Sequence, residues 1–299
     1  MAVSRPRVLA GLGAGVVVLS FASVIIRVTP APSAVVAAGR MVVAMLVLTP
    51  FFWARFRGRR AEFAGLPVWP LVVSGVLLAA HFAVWIESLN RTTVASSVVL
   101  VAMNPIFVAA LSPLVLREKV SWRLVLAVVL GVIGAAFIAG PQLKSTAVTV
   151  GNLMALAGAA CAGGYLMAGR SVRPRLSLVS YIYVVYGIAA AVLFGYALAS
   201  GTRLTGHSGR AWLFIFLLGL GPQLLGHTSF NWALRYVSAP TVAMAVLGEP
   251  VGTTLLAWLL LRQPPTLFEI VGGAIVCGGI YLAASDIAAA PDATLDAAT

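Results

Sequence analysis

Apolar residues run through the chain in long stretches separated by short polar connectors. Ten stretches stand out, at 8–28, 34–54, 67–88, 93–115, 122–140, 149–170, 176–199, 211–232, 238–261 and 268–285. Each approaches the roughly 20 helical residues that cross a hydrocarbon core of about 30 Å. Segments such as 176–202 are continuously apolar, whereas strands of a membrane barrel would alternate in polarity over about ten residues. The pattern therefore predicts an all-α membrane protein of ten transmembrane helices, with connectors too short to hold a soluble domain. Composition agrees, because 61% of the 299 residues are hydrophobic, 9% are charged and the mean hydropathy is +1.02. Soluble domains do not reach such values.

A net charge of +12 raises the question of a nucleic-acid partner, and the placement of the basic residues answers it. With the N-terminus inside, thirteen of the twenty fall on the inner side: Arg5, Arg7, the four of RFRGRR (55–60), the three of REKVSWR (117–123), Arg170, Arg173, Arg175 and Arg235. Six fall outside, at Arg27, Arg91, Lys144, Arg203, Arg210 and Arg262, and Arg40 lies within the second span. Basic residues accumulate on the cytoplasmic side of membrane proteins, so both termini are expected in the cytoplasm and no nucleic-acid partner is implied. The opening segment also imitates a secretory signal, with Arg5 and Arg7 ahead of an apolar core and small residues at 31–34. Cleavage there is not expected, since it would remove the first span and break the repeat described next.

Leu89–Gly134 can be laid over Leu234–Gly279 without gaps at an offset of 145, pairing Pro105 with Pro250, Leu116 with Leu261 and Arg117 with Arg262. At an offset of 143, Gly15 falls on Gly158 and Arg27 on Arg170. The repeat divides the chain into residues 1–145 and 146–299, the second with a short C-terminal tail. Five spans per copy is an odd number, so the second copy must enter the membrane from the opposite side, giving a five-plus-five inverted repeat. The charges agree, because REKVSWR has three basic residues where its counterpart RQPPTLF (262–268) has one. Inverted repeats place a site near the midplane and favour alternating access, which describes a carrier.

The segments SLNRTTVASSVVLVAMNPIFVAALSPLVLREKVSWRLVLAVVLGVIGAAF (88–137) and NWALRYVSAPTVAMAVLGEPVGTTLLAWLLL (231–261) resemble the two halves of the EamA family, in the drug/metabolite transporter superfamily. The resemblance covers nearly the whole chain. With HFAVWIESLN (81–90) in the third span, the sequence is most similar to YddG-type exporters of aromatic amino acids. The resemblance implies the drug/metabolite transporter fold in a bacterial inner membrane. It also implies export of small amphipathic metabolites, amino acids foremost, from cytoplasm to periplasm. Drugs or nucleotide-type metabolites are the alternative cargo, and a solute channel is the alternative class.

Asn104 and Glu249 occupy matching positions, each just before a proline and near the middle of its span. Pro105 and Pro250 cannot donate to the carbonyls of Val101 and Val246, so each helix is expected to bend there and to serve as a hinge. A midplane carboxylate costs about 2.5 to 3.5 kcal/mol on insertion scales, so Glu249 should face a partner or a cavity, or carry a proton. It has three readings: a protonated group that bonds a neighbouring helix, a proton-coupling carboxylate, or a partner for a substrate ammonium. His81 and His227 correspond at an offset of 146, one residue out of register with the main alignment. Ser74, Leu78, His81, Trp85 and Ser88 make one helical face, and Gly219, Gln223, His227 and Phe230 another. Each histidine is either a packed, hydrogen-bonded residue or a proton shuttle. Tyr165, beside Gly163 and Gly164, suits stacking on a flat substrate or plain core packing.

Other features are bland. Cys161 and Cys277 lack metal-ligand spacing, and GLGAG (11–15), GVIG (131–134) and the glycine pair at 272–273 read as close helix contacts. No HExxH, GxSxG or phosphate loop is present, so neither an enzyme nor a cofactor is expected. A metal held by His81, His227 and Glu249 would require two imidazoles at different depths to converge, and no metal is expected.

Overall fold

In the computed structural model, which describes residues 3–139, 149–262 and 264–289, every regular element is a helix. Lys144, the expected junction at 145/146 and the tail from 290 lie outside the described residues. The first span is α1 (Arg5–Leu19) followed by α2 (Phe21–Val28). They are bent at Ser20, whose hydroxyl donates to Val16 O at 2.8 Å. Then come α3 (Ser33–Arg59), α4 (Trp69–Arg91), α5 (Val94–Val101), α6 (Asn104–Val115), α7 (Trp122–Ala139), α8 (Thr149–Val172) and α9 (Leu178–Ala199). The eighth hydrophobic run is composite: α10 (Gly209–Leu218), a π-helix (Gly219–His227) and α11 (Thr228–Ala233). The chain continues through α12 (Ala239–Val246), α13 (Glu249–Leu261) and α14 (Leu267–Ala289). Among the described residues, nine helical segments are long and apolar enough to cross a membrane, and α7, also apolar, is shorter.

Local chemistry sets the helix starts. Thr93, Ser177, Ser208 and Ser238 each accept a hydrogen bond on the side-chain oxygen from the N–H three residues ahead, at 3.2 to 3.4 Å. This satisfies a donor that the first helical turn leaves without a partner. At α14 the bond is reciprocal. Thr266 N donates to Glu269 Oε2 at 2.7 Å, and Glu269 N donates to Thr266 Oγ1 at 3.2 Å.

The duplicated sequence is duplicated in conformation. Thr93 and Ser238, 145 residues apart, cap α5 and α12 in the same way. Both helices tighten two residues later in the run: Met103 N reaches Leu100 O at 3.2 Å and Gly248 N reaches Ala245 O at 3.0 Å, three residues back. Each then resumes at Asn104 or Glu249. Arg117 and Arg262 are the two non-glycine residues with positive φ among the described residues, at 57° and 55°. Each ends its helix in a left-handed turn, as many helices end. Polar contacts repeat as well. Arg27 Nη1 donates to Leu89 O at 2.6 Å, and Arg170 Nη1 donates to Leu234 O at 2.7 Å.

Close approach fixes how the equivalent helices α7 and α14 pack. A Cβ on Gly134 would meet Gly272 O at 2.6 Å, and one on Gly272 would run into Gly134 O. A Cβ on Gly279, further along α14, would meet Ala127 O at 2.8 Å, further back along α7. The two helices therefore run antiparallel, backbone against backbone, as small residues allow in membranes. α8 packs antiparallel on α4, with Gly151 against Arg91 and Thr92 and Gly164 against Leu77. The exterior is apolar, with Leu46, Leu114, Leu259 and Tyr281 exposed and Trp53, Trp69 and Trp122 among the exposed aromatics. Such a surface suits hydrocarbon and not water.

Candidate functional site

The polar residues of both copies are gathered in one place. Asn104 begins α6, Glu249 begins α13, and both line a central cavity together with His81, Trp85, Tyr165 and His227. Val101 and Val246, whose carbonyls Pro105 and Pro250 deprive of a helical donor, line it too. About 30 Å³ is open there to the centre of a water molecule, room for about two waters. Any larger solute needs the lining to rearrange.

Each lining group has a defined setting. Ser23 Oγ of α2 donates to Glu249 Oε1 at 3.2 Å, and both residues are buried. His81 Nδ1 lies 2.9 Å from Gly158 O, so that nitrogen is the donor, since a carbonyl oxygen only accepts. Its ring stacks on Trp85 one turn later, with centroids 5.6 Å apart and an interplanar angle of 17°. Tyr165 donates its hydroxyl to Asn231 Oδ1 at 2.5 Å, and Asn231 Nδ2 donates to Tyr186 Oη at 3.2 Å. Two lining groups have buried polar atoms without a partner among the described residues: Trp85 Nε1, a donor, and Asn104 Oδ1, an acceptor. Small-molecule sites are commonly lined in this way, by apolar ring faces with a few polar atoms available to pair.

The face Ser74, Leu78, His81, Trp85 and Ser88 is buried throughout. Trp85 is packed at the cavity. The two imidazoles, expected at different depths, converge with ring centroids 6.4 Å apart. Among the described residues no group of three or more His, Cys, Asp or Glu side chains is placed to hold a metal ion. Gln223 differs from the other candidates. It is fully buried on the π-helix, lies outside the cavity lining, and has both amide atoms without a partner among the described residues. The π-helix falls where the two copies lose register, and its wider turn re-aims the side chains it carries.

Sequence reasoning left out Ser23, Phe230 and Arg40. Ser23 carries no pattern of its own, and in the sequence Phe230 stands out only as a member of the Gly219–Phe230 face. Arg40 is the one basic residue inside a span, and that signal was used for topology alone. It is fully buried and its Cζ lies 4.2 Å from the centroid of the Phe82 ring.

The chain matches the model of the EamA-like transporter family over residues 8–140 and 149–285, once for each copy. It is 24% identical over 201 residues to an uncharacterized transporter of Archaeoglobus fulgidus, covering 67% of this chain and 71% of that one. A second uncharacterized transporter of the same organism is 25% identical over 226 residues, covering 75% and 80%. A solved crystal structure of another protein superposes with a TM-score of 0.75 at 18% identity, over 94% of this chain and 98% of that one. That likeness concerns the fold. The chain belongs to the EamA-like transporter family.

Proposed function

We propose that this EamA-like transporter is a secondary carrier of the bacterial inner membrane. It exports small amphipathic metabolites, aromatic and other amino acids foremost, from cytoplasm to periplasm. In this reading the chain crosses the bilayer ten times as two inverted copies, 1–145 and 146–299, with both termini in the cytoplasm. The observation that carries it is the cavity where the two broken helices meet, with Asn104 and Glu249 at matching positions and Trp85, Tyr165 and Phe230 supplying aromatic faces. The antiparallel packing of the equivalent helices α7 and α14 supports inversion.

Alternating access then has a physical basis. In the inverted arrangement the Arg27–Leu89 and Arg170–Leu234 contacts stand at opposite membrane faces, and each ties the end of one span to another. Opening one face breaks one contact and keeps the other, while Pro105 and Pro250 take up the bend. Glu249 serves every cargo alike, by exchanging its hydrogen-bond partner or a proton as the cavity changes shape.

The test is counterflow in liposomes. Purified protein preloaded with unlabelled amino acid should take up labelled amino acid faster than unloaded vesicles do. A channel, the reading from a different class, would show no acceleration. Repeating the assay with drugs or nucleotide-type solutes separates the cargo alternatives, and imposing a pH gradient shows whether protons take part.

A further inference from the structure

One buried cation has no hydrogen-bond acceptor among the described residues. Arg40 is fully buried in α3, and its Nε, Nη1 and Nη2 lack any hydrogen-bond partner among the described residues. Three other arginines placed in or at the ends of spans are hydrogen-bonded to main-chain carbonyls. Arg27 donates to Leu89 O, Arg170 to Leu234 O and Arg173 to Asn231 O. A guanidinium remains charged and offers five N–H donors in a planar fork, so leaving it unfilled in a low-dielectric interior is costly. The Phe82 ring at 4.2 Å supplies attraction from one side but no acceptor in the plane of the fork.

Phe82 places this cation beside the transport cavity. Its ring centroid is 4.9 Å from that of His81, 5.3 Å from that of His227 and 6.4 Å from that of Trp85. Those three residues line the cavity. Arg40 therefore stands one ring layer behind the wall. Tyr186 and Glu249 are its electrostatic neighbours, yet the Tyr186 hydroxyl is bonded to Asn231 and Thr228, and the Glu249 side chain to Ser23. The cavity is too small for a solute as it stands, so admitting cargo must displace part of this wall.

We infer that Arg40 is the anion-recognising residue of the transport site and selects cargo that carries a carboxylate. The acid group reaches the guanidinium as the wall yields, and its two oxygens match the fork. The apolar body of the cargo lies against Trp85, Tyr165 and Phe230. This inference rests on the export reading and narrows it, because a neutral or purely cationic solute would leave Arg40 without a partner in the loaded carrier.

Three solutes sharing an indole ring separate the possibilities: tryptophan, indole-3-propionate and tryptamine. In counterflow the wild-type protein should exchange the first two and exchange tryptamine poorly. Arg40→Gln should lower exchange of both carboxylates by about tenfold or more while leaving tryptamine unchanged, and Arg40→Lys should restore part of the loss. The inference is overturned if Arg40→Gln slows all three by the same factor, or none of them. If Arg40→Gln does not fold, thermal stabilisation of the wild-type protein decides. Indole-3-propionate should then raise the melting temperature and tryptamine should not, and the reverse order, or no response to either, overturns the inference. Wild-type exchange of tryptamine alone would remove the role of Arg40 and leave the export reading standing. Absence of counterflow with every solute would remove the export reading, while the stabilisation assay still decides on Arg40.

Discussion

The Ser23 hydroxyl donates to the Glu249 carboxylate at 3.2 Å, joining residues 226 positions apart in the sequence. The contact ties the first span to the helix that restarts at Glu249. Replacing Glu249 by Gln keeps the size of the side chain and removes its charge. The amide still accepts from Ser23 but can neither bind nor release a proton, so exchange should fall by about tenfold or more for every cargo tested if the carboxyl serves them all. Ser23→Ala should cause a smaller loss with the same lack of selectivity. Loss of one cargo with the others intact would argue against a shared role for the carboxylate.

Equivalent arginines should govern opposite faces. Arg27→Ala frees Leu89 O, and Arg170→Ala frees Leu234 O, Arg235 O and the Glu118 carboxylate, so each loosens its own face and biases the carrier toward opening at that end. The expected shift in population is about tenfold. It can be read from the labelling of single cysteines introduced at each end of the cavity in a background without Cys161 and Cys277. Arg170→Ala should raise labelling from the cytoplasmic side, and Arg27→Ala from the periplasmic side. Equal changes from both substitutions would contradict the inverted arrangement.

Gly134→Ala should destabilise the protein, because its Cβ would lie 2.6 Å from Gly272 O, a main-chain atom with no rotamer to escape into. The cost expected for such overpacking is about 1 to 3 kcal/mol. Gly13→Ala is the matched control, since a Cβ there meets nothing within 4 Å. The melting temperature in detergent should drop for the first and hold for the second. Equal behaviour would mean that α7 and α14 are not pressed together through this glycine.

The membrane helices were legible because hydrocarbon tolerates long apolar segments and little else. The buried face of α4 was legible because its polar and aromatic members recur at the helical period. Asn104 and Glu249 were legible because a polar residue before a proline has no cheap place in a lipid-facing helix. Arg40 carried an equally strong signal, but a span residue counted only for topology contributes nothing to a site. The arginine contacts with Leu89 O and Leu234 O left no trace, because any residue type offers the same main-chain carbonyl. The π-helix was hidden too, since hydrophobic periodicity barely distinguishes 3.6 residues per turn from a wider turn. Gln223 was grouped with His227 on a regular helical face, and the π-helix invalidates that grouping.

The small size of the central cavity has a thermodynamic consequence for anyone measuring cargo binding. Helices packed this closely must be prised apart before a solute fits, and the work of doing so is subtracted from every intrinsic contact the solute then makes. Apparent dissociation constants should therefore be weaker than the contacts in the widened form alone would give. A ligand that binds it tightly will be one that stabilises the widened form and is slow to leave, an inhibitor more than a passenger.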